Sequence, residues 1–108
     1  MPNFAFTFLY FNQPATLKVE LTLDYVMRLL AHMRRAGHRV CRVPVPDRSE
    51  PRQVLVEFLS SGYMQRARAK GVWPLQGLAD PWRLHQNVFL DWWLLKRVAV
   101  DDGVLRFS

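Results

Sequence analysis

The chain has 108 residues, of which 50% are hydrophobic and 22% are charged. This length is close to the commonest domain size, and the composition is globular rather than disordered. A single cysteine excludes an internal disulfide, and the apolar N-terminal stretch is shorter than the ~20 residues that a membrane-spanning helix needs. We therefore expect one domain over residues 1–108, located in the cytoplasm and without membrane contact.

The first third of the chain predicts a hairpin followed by a helix. Residues 4–11 are rich in aromatic side chains, and residues 17–21 alternate between apolar and charged side chains, so both are expected to be strands. Thr22 then suits a helix N-cap, and Gly37 suits the residue after the helix. The buried stripe of this helix is predicted to contain Leu23, Val26, Met27, Leu30 and Met33.

The remaining elements follow from shorter signals. Strands are expected over 39–45 and 54–59, on either side of a loop at 46–52. A short helix from Tyr63 to Lys70 should stop at Gly71. The chain should end with two short strands around the turn at Asp102 and Gly103. The order β-β-α-β-β-α-α-β predicts an α+β fold, with an antiparallel sheet of four to six strands and two main helices packed on one face.

Residues 81–97 predict a helix that is apolar over about half its circumference, wider than the stripe of roughly 100° on an ordinary surface helix. Asp80 suits its N-cap and Pro81 its first residue. Two interpretations stay open: burial on two sides, or one apolar face that binds a partner protein or a second copy of the chain. The second assigns an interface to Trp82, Phe89, Trp93, Lys96 and Arg97.

The formal net charge is +6, and most of the excess lies between residues 25 and 46. Concentrated arginine side chains suit a phosphate or carboxylate partner, although codon bias would produce the same excess. A solvated helix face is the alternative interpretation. As a binding surface, this basic face would engage nucleic acid, a nucleoprotein complex or an acidic protein surface through Arg28, His32, Arg34, Arg35 and Arg39, extended by Arg66 and Arg68.

Catalytic and metal-binding patterns are sparse. The sequence contains no P-loop, dinucleotide fingerprint, nucleophile elbow or HExxH motif. His38 and Cys41 provide half of a zinc-like spacing, whereas a structural zinc needs about four ligands. Cys41 lies in an apolar segment and favours a buried structural thiol. We therefore expect no catalytic residue, no metal and no cofactor.

These observations favour a small non-enzymatic binding protein, such as a regulator or inhibitor, whose basic helix face engages nucleic acid or a nucleoprotein assembly. The alternative is a protein–protein interaction module or homodimer that uses the tryptophan-rich helix 81–97. A small enzyme is the weakest hypothesis, because no motif supports it.

Overall fold

The computed structural model describes a set of residues that is interrupted mainly near the N-terminus and in the middle of the chain: Phe4, Ala5, Thr7, Tyr10, 13–44, Asp47, Ser49, 51–54, 61–72 and 74–108. They form α1 (Ala15–Ala36), β1 (Cys41–Arg42), β2 (Arg52–Val54), α2 (Gly62–Ala69), β3 (Leu75–Gly77), α3 (Val88–Lys96) and β4 (Arg106–Phe107). The chain divides into two compact units. The first unit comprises Met1–Val45 and His85–Ser108, and the second comprises Pro46–Leu84. The prediction of one domain over 1–108 stays a prediction.

Helix α1 begins directly after Pro14, a residue that is well tolerated where a helix starts. It ends at Gly37, whose φ of 73° places it in the left-handed region. The His38 amide donates to the Met33 carbonyl and the Gly37 amide donates to the Arg34 carbonyl, which is the Schellman arrangement. The predicted stop at Gly37 is therefore confirmed.

The start of α1 differs from our prediction, because residues 17–21 lie within the helix rather than in a strand. A short run that alternates between apolar and charged residues also satisfies helical spacing. Thr22, predicted as the N-cap, lies inside the helix, and its hydroxyl donates to the Lys18 carbonyl at 2.8 Å. This bond is the i−4 contact that a helical threonine makes.

The four strands form two separate antiparallel pairs. In the first unit β1 pairs with β4, and Cys41 lies opposite Phe107. In the second unit β2 pairs with β3, and Arg52 lies opposite Gly77. A single sheet of four to six strands is not seen among the described residues, and the predicted strand residues 55–59, with much of 4–11, lie outside them. The wider sheet stays a prediction.

The two later helices follow the prediction to different extents. The predicted short helix is confirmed as α2, and Gly71 has a φ of 67° at its end. Helix α3 begins at Val88 rather than near Pro81, because the Asn87 side chain accepts hydrogen bonds from the amides of Phe89 and Leu90. The predicted C-terminal hairpin is also changed: the strand after the Gly103 turn, β4, pairs with β1.

Few apolar side chains are buried in the described part of the chain. The buried hydrophobic residues are Tyr10, Leu21, Met64 and Val100. Leu23, Met27 and Leu30, which were predicted to lie in the core, are exposed, because α1 turns another face towards α3. None of the described helices is both long and apolar enough to cross a membrane.

Candidate functional site

In the first unit, a buried polar cluster joins α1 to α3. Asp91 of α3 accepts hydrogen bonds at Oδ2 from the Lys18 ammonium of α1, at 2.5 Å, and from the Tyr10 hydroxyl. The Lys18 Nζ also lies 5.1 Å from the centre of the Tyr10 ring. Lys18 and Asp91 are the buried charged residues of the described chain. The two buried charges therefore compensate each other, and the Tyr10 hydroxyl has a hydrogen-bond acceptor.

Burial raises the pKa of the Tyr10 phenol, and the hydrogen bond and negative charge of Asp91 raise it further. Tyr10 is consequently a neutral hydrogen-bond donor across the physiological pH range. Because Asp91 Oδ2 already accepts from both neighbours, the cluster suits a structural connection between helices rather than attack on a dissolved substrate.

Sequence reasoning missed this cluster because it placed Lys18 on the outer side of a strand. The available signal was helical spacing. At about 100° per residue, Lys18 shares a helix face with Leu21, Tyr25 and Arg28. Extending the helix back to Ala15 would have placed this lysine on the face that contacts α3.

Arg28 stabilises the C-terminal end of α3. Its Nη1 donates to the Leu95 carbonyl and its Nη2 donates to the Val98 carbonyl, both at 2.6 Å. The last carbonyls of a helix lack helical partners and carry partial negative charge, so a guanidinium group is well suited to them. The guanidinium of Arg28 thus binds one carbonyl in the last turn of α3 and one just beyond the helix, and the binding of an external anion by Arg28 stays a prediction.

A second contact joins the same helices nearer to solvent. Lys96 Nζ lies 2.8 Å from Asp24 Oδ2. The hydrogen bond to Asp24 raises the pKa of Lys96. The contacts of Lys18, Asp24 and Arg28 with successive parts of α3 show that the two helices run in the same direction.

The other residues of the predicted basic surface are distributed over both units. The His32 ring lies 5.0 Å from the Phe107 ring, so it contributes to local packing. Arg34, Arg35 and Arg39 are exposed. The remaining two basic residues belong to α2 of the second unit, where Arg66 is exposed and Arg68 is partly buried. Anion binding by these side chains stays a prediction.

The residues of the predicted aromatic interface do not all lie on one helix. Phe89 and Trp93 lie on α3 and are 87% and 57% exposed. Arg97 follows α3, and its guanidinium carbon lies 5.2 Å from the centre of the Trp92 ring. Trp82 lies before α3, in the second unit. Trp82 and Trp93 therefore do not share the long helix predicted from the sequence.

Trp82 forms one wall of a small pocket in the second unit. The cavity measures about 310 Å³, and its lining combines apolar side chains with one carboxylate: Pro51, Gly77, Leu78, Ala79, Asp80 and Trp82. This volume is at the lower end of the range for small-molecule sites. A compact ligand would fit, whereas a dinucleotide is too large to be enclosed.

Cys41 lies in β1 and is partly buried. Burial raises the pKa of its thiol, which lowers the fraction of reactive thiolate at neutral pH. Among the residues that the structure describes, no group of three or more histidine, cysteine, aspartate or glutamate side chains is placed to hold a metal ion.

Comparison with known proteins connects the chain to flavin enzymes. A protein of Acinetobacter baylyi named "Probable FAD-binding monooxygenase AlmA" is 39% identical over 109 residues, covering 100% of this chain and 21% of the relative. The FAD-containing monooxygenase EthA of Mycobacterium tuberculosis is 37% identical over 108 residues, covering 100% and 22%. EthA of Mycolicibacterium smegmatis is 32% identical over 108 residues, covering 100% and 21%. The chain thus spans about a fifth of the length of these relatives.

No family model and no solved structure matches the chain. The curated relatives nevertheless correct our expectations of function. We expected a non-enzymatic protein that binds nucleic acid or acts as an interaction module, but the proteins similar to the whole chain are named as monooxygenases. The expectation that the protein is not an enzyme is contradicted by the same relatives.

Proposed function

We propose that this chain works as part of an FAD-containing monooxygenase, packed against the polypeptide that carries the flavin. The observation that supports this most directly is similarity along the full chain to proteins named as FAD monooxygenases, at 39% and 37% identity. Since the chain spans only about a fifth of each relative, the complete reaction would need sequence beyond these 108 residues.

The described residues do not fit an FAD site. A typical dinucleotide site binds the pyrophosphate at a glycine-rich turn, with the pattern GxGxxG, between a strand and a helix. No two of the five glycines of this chain are separated by a single residue. Helix α1 follows Pro14, and the first amides of α3 are bonded to Asn87. No step that involves flavin is therefore assigned to this chain.

The contribution that suits the geometry is structural. The Lys18–Asp91 pair and the Arg28 hydrogen bonds fix α1 and α3 to each other at several points along their length. Charge-assisted hydrogen bonds are stronger and more directional than apolar contacts, so they specify one arrangement of the two helices. A helix pair fixed in this way would present its outer surfaces in a defined orientation to the rest of a monooxygenase.

A full-length chimera tests the proposal. In the Acinetobacter baylyi relative, the 109 matched residues are replaced by this chain. Bound FAD is measured by absorbance after purification, and turnover is measured with the parent enzyme's own substrate and electron donor. We expect the chimera to retain FAD and to turn over substrate. A soluble, folded chimera that lacks both would overturn the proposal.

Two controls make the result specific. A second chimera carries an unrelated domain of similar size in the same position, and we expect it to lose flavin. The isolated chain is titrated into FAD while flavin fluorescence is recorded, and we expect no saturable binding. Stoichiometric binding by the isolated chain would contradict the assignment of flavin to the other part of the protein.

A further inference from the structure

The outer face of α1 carries an apolar stripe. Leu23, Met27 and Leu30 are 59%, 66% and 54% exposed. Positions separated by four and three residues lie on one face of a helix, so the three side chains form one continuous row. We refer to these three residues as the α1 stripe. Large apolar side chains that are exposed as a group, rather than singly, indicate a surface that is covered by another element.

The opposite face of α1 already has a partner. Lys18, Leu21 and Arg28 lie on that face, where Lys18 and Arg28 bond to α3 and its C-terminal carbonyls. Lys18 and Leu21 are buried, whereas the α1 stripe is exposed. An ordinary surface helix turns its apolar residues inward and its charged residues to solvent. Helix α1 buries Lys18 and exposes three large apolar side chains, which is the pattern of a helix that has a second apolar neighbour.

We infer that the α1 stripe is the surface through which this chain packs against the FAD-carrying part of a monooxygenase polypeptide. The inference rests on the proposed function and adds the contact surface to it. The length of the relatives indicates what covers the stripe. The relatives contain about five times as much sequence as this chain, since the chain covers 21% of them. That additional polypeptide is available to cover the stripe.

The size of the α1 stripe favours this occupant over a second copy of the chain. Two separate proteins that associate stably bury about 800 Å² on each partner, far more than three side chains provide. A segment joined covalently to its partner has a high effective concentration and needs a smaller contact. Glu20 and Arg34 are exposed beside the two ends of the stripe, and polar residues of this kind form the rim of packed interfaces.

Hydroxyl-radical footprinting locates the contact directly. Met27 oxidation is measured by mass spectrometry in the isolated chain and in the full-length chimera described above. We expect rapid oxidation of Met27 in the isolated chain and its loss in the chimera. Met64, which is only 3% exposed, serves as the internal standard for a protected methionine. Equal oxidation of Met27 in both proteins would overturn the inference.

A substitution tests the same surface energetically. Met27→Glu should leave the thermal unfolding of the isolated chain unchanged, because Met27 is exposed there. In the chimera, it should lower the temperature at which flavin is released. Arg35→Glu is the control, since Arg35 is exposed on the same helix and lies about 80° or more around it from each member of the stripe. Equal damage by both substitutions, or destabilisation of the isolated chain by Met27→Glu, would contradict the inference.

The two proposals fail in different ways. If the unmodified chimera binds no FAD, the proposed function fails. If it binds FAD but Met27 remains accessible and Met27→Glu is neutral, only the inference about the stripe fails. Sedimentation of the isolated chain adds an independent check. A dimer that Met27→Glu dissociates would identify a second copy as the occupant and overturn the assignment to the flavin-carrying part.

Discussion

Lys18 Nζ and Asp91 Oδ2 lie 2.5 Å apart between α1 and α3, with side chains that are 9% and 5% exposed. The pair joins positions 73 residues apart in the chain. Each charge has lost most of its water, so its burial is tolerable because the opposite charge is present. The pair therefore makes the association of α1 with α3 sensitive to any change in either side chain.

Asp91→Asn should destabilise the chain by about 3–5 kcal/mol, because it leaves a buried ammonium group without its counter-charge. Lys18→Met should also destabilise it, whereas Lys18→Met combined with Asp91→Asn should cost less than the two single changes added together. Urea unfolding, followed by tryptophan fluorescence, measures the free energies. Asp101→Asn, at an exposed position, is the control and should change little. Strictly additive losses would show that the two charges are not coupled.

Arg28→Ala should destabilise the first unit by about 2 kcal/mol, since two carbonyls at the end of α3 lose a charged donor. Arg28→Lys should recover only part of this loss, because an ammonium group cannot reproduce the two-pronged geometry of a guanidinium group. Arg35→Ala is the control on the same helix, and the exposed Arg35 should contribute within about 0.5 kcal/mol. Hydrogen exchange of the α3 amides gives a local readout, and unchanged protection in Arg28→Ala would contradict the capping role.

The sequence predicted those features that depend on nearby residues. Gly37 and Gly71 end helices as expected, because a helix end needs a left-handed residue and only a few neighbouring carbonyls. Residues 17–21 were assigned to a strand because a five-residue pattern cannot separate periods of 2 and 3.6. Because of that error, the face of α1 that was predicted to be buried contains Met27, which is exposed in the structure.

The candidate site could not be read from local patterns for a different reason. Tyr10 and Asp91 are 81 positions apart, and their contact depends on the packing of whole elements. The enzyme connection was also hidden, because the dinucleotide motif that would reveal it is absent from these 108 residues. The similarity to proteins named as monooxygenases emerges from comparison of the whole chain, at 39% identity over 109 residues.

The raised pKa of Tyr10 predicts a loss of stability at alkaline pH. An unfolded tyrosine ionises near pH 10, whereas folding holds the Tyr10 phenol neutral to a higher pH. Its stabilising contribution is therefore complete below about pH 10 and is lost as the pH rises towards the folded value. The difference in unfolding free energy between the unmodified chain and Tyr10→Phe, measured from about pH 8 to about pH 11, should shrink or reverse as the pH rises.

Tyr25→Phe is the comparison for this experiment. Burial raises the pKa of Tyr25 as well, and Asp102 adds to the shift, but Tyr25 takes no part in the Asp91 cluster. In a chain that carries Asp91→Asn, the difference in pH dependence between Tyr10 and Tyr10→Phe should become smaller, because the hydrogen bond and the charge of Asp91 no longer add to the effect of burial on the pKa of Tyr10. A pH dependence that is identical in the unmodified chain and in Tyr10→Phe would show that Tyr10 ionises with its ordinary pKa.

Gly77→Ala should destabilise the second unit, because a Cβ atom at residue 77 would lie 2.7 Å from the Cβ of Trp82. The Gly77 amide also donates to the Trp82 carbonyl at 2.9 Å, so the two backbones cannot separate without losing this bond. Overpacking of this kind costs about 1–3 kcal/mol. Gly62→Ala is the matched control: its Cβ would meet only the end of the flexible Arg66 side chain, and alanine favours α2. Thermal unfolding should therefore shift downward for Gly77→Ala and remain level or rise for Gly62→Ala, and equal behaviour of the two variants would refute close packing of Trp82 on β3.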